Sequence, residues 1–163
     1  MEGLVDKAAG LPPKEEDARA RAKALKRWTE LAMEMVVASP MLLRAREEGT
    51  LEQSINDALA ARAESTLRAR YGAIRSLSNW AAARGHKVWP MTEALAYKYS
   101  HYLAVSQAPA TKARSMVKAM AFVGHVLGVE SALGVVKTPR VKGSTWAQYA
   151  GKRTTEGMSP FFW

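Results

Sequence analysis

The chain has 163 residues, no cysteine and a formal net charge of +9. Without cysteine it can form neither disulfides nor thiolate zinc sites, and it has no cysteine nucleophile. No apolar run reaches the ~18–20 residues that a membrane-spanning helix needs, and the N-terminal sequence lacks the basic and apolar regions of a secretory signal. We therefore expect an intracellular protein of one domain with extensions, without a membrane as partner.

The excess positive charge lies in the second part of the chain. Residues 1–50 contain nine basic and nine acidic residues, whereas residues 51–163 contain fifteen basic and six acidic residues. A basic domain attracts polyanions and releases condensed counterions from nucleic acid. This distribution favours a nucleic-acid partner, and the plain alternative is a soluble protein that is merely basic.

The first predicted helix runs from about Lys14 to Ala38, after a segment (1–13) whose glycines and prolines predict no regular structure. Acidic residues near its start suit the helix dipole, and Ser39-Pro40 ends it because a residue before proline avoids the α conformation. Its apolar positions recur at helical spacing and comprise Leu25, Trp28, Ala32, Met35 and Val36. This stripe needs a partner, either the rest of the chain or another protein.

Five further helices are predicted in residues 41–135, two of them short ones over 41–48 and 51–62. Gly49 closes the first and Thr50 caps the second. The three longer helices run from Ser65 or Thr66 to Gly85, from Thr92 to about Ser106, and from Ala110 or Thr111 to Leu127, with Gly128 as the stop. Their apolar stripes contain Leu67, Tyr71, Ile74, Leu77, Ser78 and Ala81, then Leu95, Tyr99, Tyr102 and Leu103, then Ala113, Met116, Val117, Met120, Ala121 and Leu127.

Beyond a short helical turn at 131–135, Pro139, Gly143 and Gly151 predict an extended basic tail. No segment alternates polar and apolar residues as a strand does, so the predicted fold class is all-α, a bundle of about four to five helices. We divide the chain into an N-terminal extension with one amphipathic helix (1–50), a helical core (51–136) and a basic linker or tail (137–163).

No residue constellation for catalysis or metal binding stands out in the sequence. His86, His101 and His125 are far apart and lack carboxylates at helical spacing, and phosphate-loop, dinucleotide and nucleophile-elbow motifs are absent. Acidic residues are scarce after residue 65, which argues against paired-carboxylate catalysis. We therefore expect no cofactor, no metal and no small-molecule substrate.

Four motifs follow one another between residues 51 and 135. STLRARYGAIRSLSNWAAARG (65–85) has a Ser-Thr start, a following Tyr and an aromatic-plus-Gly end. Next come Pro90-Met91-Thr92 and Tyr102-Leu103, and then ATKARSMVKAMAFVGHVLG (110–128), in which Thr opens a run of small, basic and hydrophobic residues. In this order the motifs resemble the core-binding domain of the tyrosine recombinases, the phage-type integrases.

The resemblance implies a SAM-like helical bundle that closes one side of a C-shaped clamp around duplex DNA, with double-stranded DNA and other recombinase-like protomers as partners. It implies DNA contacts by two helix starts and by the linker. With Arg75, which shares the polar side of Arg68, the predicted DNA-binding residues are Thr66, Arg68, Arg70, Arg75, Thr111, Lys112, Arg114, Ser115, Lys118, Arg140 and Lys142. Those at helix starts lie off the apolar stripes, where backbone N–H groups and the dipole favour phosphate. A solvated basic face is the plain alternative.

The chain departs from that family in its chemistry. The family's catalytic Arg, His-x-x-Arg and Tyr belong to a second domain, and here no histidine has Arg three residues later. We therefore expect no strand cleavage, and a non-catalytic DNA-binding module that locates with DNA, in a nucleus or in prokaryotic cytoplasm. It would be a fragment, a truncated product or a free-standing module of DNA integration or recombination. The alternative is an interaction domain whose stripe of Leu25, Trp28 and Met35 binds a partner helix.

Overall fold

The computed structural model describes residues 13–155, and within them the chain has eight α-helices, a 3-10 turn at Val36–Ala38 and no strand. This confirms the all-α prediction. The helices are α1 (Pro13–Met35), α2 (Pro40–Glu47), α3 (Leu51–Leu59), α4 (Glu64–Ala83), α5 (Glu93–Val105), α6 (Lys112–Val126), α7 (Glu130–Val136) and α8 (Pro139–Thr155). Residues 1–12, predicted without regular structure, lie outside the described residues.

The apolar stripe of α1 is buried in the chain's own core. Trp28 and Met35 are both 0% exposed, and α1 packs against α4 and α3. The indole Nε1 of Trp28 donates to the backbone carbonyl of Leu67 at 2.7 Å, and its ring centroid lies 5.2 Å from that of Phe122. Only Leu25 of the expected docking stripe is partly buried rather than enclosed. The stripe therefore packs against α4 and α3, with Trp28 also touching Phe122 of α6, which leaves Trp28 and Met35 no surface for a partner helix.

Local signals set several helix boundaries as the sequence predicts. Gly49, Gly85 and Gly128 follow helices with φ of 74°, 71° and 70°, a conformation that glycine adopts without a Cβ penalty. The hydroxyl of Thr92 accepts a hydrogen bond from the backbone N–H of Leu95 at 3.2 Å and so caps α5.

The other two predicted caps had different outcomes. Thr50 occupies the N-cap position of α3 as predicted, but its side chain makes no capping hydrogen bond. The cap predicted at Ser65 or Thr66 was wrong, because α4 begins at Glu64, after Ala63. Glu64 places a carboxylate at this uncapped start, where the helix dipole favours negative charge.

The predicted extended tail is wrong over residues 139–155, which form α8. This helix packs against α5 and α6, and it buries Val141 and Thr145 to 0% and 6% exposure. Gln148 Nε2 donates to the carbonyl of Ser100 at 2.8 Å. Pro139 begins the helix rather than breaking it, because its fixed φ suits the first helical position. Residues 156–163 of the predicted tail lie outside the described part of the chain.

Candidate nucleic-acid interface

The packing of α4 on α6 brings together the two helix starts that the sequence predicts as DNA contacts. Between them lies a groove of about 320 Å³, the central groove, with Arg68 on the α4 side and Lys112 and Ser115 on the α6 side. The α4 wall consists otherwise of small side chains, namely Ala69, Gly72, Ala73 and Ser76, and Tyr99 and Met116 complete the lining. A rod-like polyanion can therefore approach the α4 backbone closely while two cations flank it.

The central groove has no acidic residue in its lining. Residues 65–128 contain nine lysines and arginines and a single acid, Glu93, which Arg140 binds through a hydrogen bond of 2.8 Å from Nε to Oε2. The first turn of α6 has no acid and carries Lys112 and Arg114 instead, although the dipole favours negative charge there. This local conflict is the kind that marks functional sites, and a bound anion would relieve it.

A second basic feature is the exposed α6 ridge, formed by Arg114 and Lys118 one helical turn apart. With Val117, Thr145 and Trp146 these two residues line a groove of about 270 Å³ between α6 and α8, the lateral groove. Trp146 is 58% exposed. The Arg114 guanidinium lies 4.4 Å from the centre of the Tyr149 ring, so this edge combines cationic and aromatic groups.

Sequence reasoning missed Trp146 and Tyr149 because residues 137–163 were expected to be extended. The sequence does carry a signal for this helix, because Val141 and Thr145 are spaced four residues apart and both become buried. Trp146 and Tyr149 then follow three residues apart, with ring centroids separated by 5.9 Å. Lys142 lies on the same helix, is exposed, and forms no ion pair with any described residue.

Three further predicted residues lie near the helix starts but outside the central groove. Thr66 and Arg70 are partly buried on α4 and do not line it. Thr111 is exposed at the N-cap of α6, and its side chain makes no capping hydrogen bond.

Two predicted contacts, Arg75 and Arg140, are engaged within the chain. Arg75 forms an ion pair of 3.0 Å with Glu34 and donates from Nε to the Tyr71 hydroxyl at 3.1 Å. The hydrogen bond to Tyr71, together with the charge of Glu34, raises the pKa of Arg75. Arg140 lies 4.2 Å from the centre of the Tyr97 ring and binds Glu93. These partners hold both guanidinium groups against other helices.

Within the described part of the chain, no three His, Asp or Glu side chains lie close enough together to hold a metal ion. None of the described helices is both long and apolar enough to cross a membrane. Comparisons with protein-family models, with curated proteins and with solved structures gave no match to this chain. The chemistry of the site must therefore be read from its own geometry and charge.

Proposed function

We propose that this chain is a non-catalytic module that binds duplex DNA through the central groove and the α6 ridge. The observation that carries the proposal is the position of Arg68 and Lys112. Two separate helices contribute these cations to one groove whose lining contains no acid. The +9 net charge supplies the long-range attraction that such binding requires.

The side chains of the groove suit a sugar–phosphate backbone. Arginine presents a planar fork that can bind two phosphate oxygens, whereas lysine acts as a compact point charge. Ser115 adds a hydroxyl beside Lys112, and the small side chains of Ala69 and Gly72 leave room for the backbone to approach. Such contacts position a protein on duplex DNA and carry little sequence information. We therefore expect binding with weak sequence preference.

The resemblance of residues 51–135 to the core-binding domain of tyrosine recombinases supports the same assignment. It draws on the same two helix starts, around Thr66–Arg70 and Thr111–Lys118, and it adds a biological setting, DNA integration or recombination. In that setting the chain would hold DNA while catalysis belonged to another domain or protein.

A salt-dependent titration of a duplex by fluorescence anisotropy tests the proposal. Each phosphate contact contributes roughly 0.9 to the slope of log K against log salt. The double variant Lys112→Glu, Lys118→Glu should therefore lose about 1.8 from that slope and bind roughly sixtyfold more weakly at ~0.1 M salt.

The matched control is Lys26→Glu, Lys87→Glu, which makes the same change in net charge at two exposed lysines that line neither groove. It should retain most of the affinity. Absence of binding to any duplex at low salt would overturn the proposal, and so would an equal loss in both double variants. Circular dichroism confirms that each variant keeps its helical content.

A further inference from the structure

Arg68 lines two grooves rather than one. Besides the central groove, it lines a groove of about 180 Å³ between α1 and α4, the α1 groove. There Lys23 and Arg27 of α1 face Arg68, and Ala20, Ala24, Leu67 and Tyr71 form the apolar part of the lining. Basic side chains on α1, α4 and α6 therefore line two grooves that meet at Arg68.

The two edges of α1 differ in charge, although residues 1–50 as a whole are neutral. The α1 groove has three cations and one acid, Glu64, whose Oε1 lies 3.7 Å from Nη1 of Arg68. On the other edge of α1, a groove of about 520 Å³ is lined by Lys26 together with the acids Glu30 and Glu52. The basic surface therefore continues onto α1 at Lys23 and Arg27, whereas Glu34, further along the helix, is paired with Arg75 of α4.

The packing of α1 fixes the helix positions that carry Lys23 and Arg27 relative to α4. Trp28, the neighbour of Arg27, is 0% exposed and donates to the Leu67 carbonyl at 2.7 Å. The ion pair between Arg75 and Glu34 ties the C-terminal half of α1 to α4 at 3.0 Å, and Arg21 donates to the backbone carbonyls of Ala60 and Arg62. Because the helix is already anchored, DNA binding need not order the backbone that carries Lys23 and Arg27.

We propose that α1 supplies a third row of DNA contacts, in which Lys23 and Arg27 bind phosphates of the same duplex that meets Arg68 and Lys112. This inference rests on the proposed DNA-binding function and extends its footprint. Packed helices lie about 8–10 Å apart, so three neighbouring helices span up to about 16–20 Å. The ~12 Å width of the major groove lies within that span, so the three rows can reach phosphates on both of its sides.

Single charge reversals on α1 test the inference in the full chain, with a random-sequence duplex as the probe. Lys23→Glu and Arg27→Glu should each lower the salt slope by about 0.9 and weaken binding about eightfold at ~0.1 M salt, the effect of one lost phosphate contact. Lys26→Glu is the matched control because it makes the same reversal at an exposed lysine on the same helix, on the acid-lined edge. It should change affinity less than about twofold, with no change in slope.

The outcomes separate this inference from the function on which it rests. If Lys23→Glu and Arg27→Glu bind like Lys26→Glu while the Lys112 and Lys118 reversals weaken binding, α1 makes no contact and the inference fails alone. If the wild-type chain binds no duplex, the inference and the proposed function fail together. Should a reversal lower the helical content, the neutral variants Lys23→Gln and Arg27→Gln replace it, with the same expected loss of slope.

Discussion

Arg140 and Glu93 join the first turns of α8 and α5, with Nε of Arg140 2.8 Å from Oε2 and 2.9 Å from Oε1 of Glu93. The hydrogen bond from Arg140 lowers the pKa of Glu93. The pair has two consequences. It neutralises the single acid among residues 65–128, and it fastens to the bundle a segment that the sequence predicts to be extended.

Glu93→Gln should lower the melting temperature at pH 7, because it removes the charge that Arg140 binds. A carboxyl whose folded pKa is lowered stabilises the fold above its unfolded pKa, about 4.3 for Glu, and that contribution disappears as the pH falls through the folded pKa. The melting temperatures of wild type and variant should therefore converge below about pH 4. Thermal melts followed by circular dichroism measure both effects.

The control for this prediction is Glu130→Gln. Glu130 also begins a helix, α7, but it forms no ion pair with any described residue. The Glu130→Gln variant therefore measures the loss of a carboxylate from a helix start, without the loss of an ion pair. Equal shifts in the two variants at pH 7 would show that the Arg140 pair adds no stability.

The features predictable from sequence are those that depend on neighbours in the chain. Gly85 and Gly128 stop their helices, Thr92 caps α5, and the apolar spacing places α4 and α6 within a few residues. The start of α8 illustrates the limit. From sequence, Pro139 predicts a break. Only its segment's packing against α5, which is more than 40 residues away in the chain, makes it a helix start instead.

The candidate site was likewise predictable only where it depends on local sequence. The recombinase resemblance implied Arg68 and Lys112 as DNA contacts, their charge and their places near helix starts agreed with it, and both residues line one groove. The sequence could not show that Arg75 binds Glu34 on another helix. Nor could it show that the neutral N-terminal segment turns a basic edge toward α4, because that sorting depends on which side of α1 packs.

Ser39→Ala should destabilise the fold by about 1–3 kcal/mol, the cost of leaving buried polar groups unpaired. The Ser39 side chain is 0% exposed. Its hydroxyl donates to the Leu127 carbonyl at 2.6 Å and accepts from the Leu42 N–H at 3.1 Å. It therefore caps α2 and also satisfies the end of α6, so its loss affects both helices.

Urea unfolding measures this change in the free energy of unfolding. Ser106→Ala is the control, because Ser106 is exposed and its hydroxyl bonds within the described residues only to the carbonyl of Leu103, three residues earlier. Its effect should stay within about 0.5 kcal/mol. A comparably small effect of Ser39→Ala would mean that water replaces both of its hydrogen bonds.

Tyr99 should make the fold sensitive to alkaline pH. Burial, and to a smaller degree the neighbouring Tyr102, raises the pKa of Tyr99 to about 12. An unfolded tyrosine ionises at about 10, so between these values the unfolded state binds fewer protons than the folded state. The free energy of unfolding must then fall as the pH rises through this interval.

Urea unfolding of wild type and Tyr99→Phe at several pH values between about 8 and 12 checks this dependence. The free energy of unfolding should fall less steeply in the variant above about pH 10, whereas the two curves should run parallel below it. Parallel curves over the whole range would mean that Tyr99 ionises at the same pH in the folded and unfolded states.

Gly72 and Gly124 are helical glycines in opposite surroundings. A Cβ added at Gly72, in the lining of the central groove, would meet no atom within 4 Å. A Cβ added at Gly124 would lie 2.7 Å from the Cβ of Leu133 and 3.2 Å from its backbone nitrogen. The first glycine therefore leaves open space in the proposed interface, and the second lets α6 and α7 pack closely.

Gly72→Leu should weaken duplex binding without destabilising the fold, because its side chain fills the space that the DNA backbone would use and changes no charge. Gly124→Ala should show the reverse, a loss of about 1–3 kcal/mol of stability from overpacking with unchanged affinity of the folded protein. Anisotropy titrations and urea unfolding of both variants separate the two effects. If Gly72→Leu binds duplex DNA as tightly as the wild type, the backbone does not enter the central groove, and the contacts of Arg68 and Lys112 must be made above its rim.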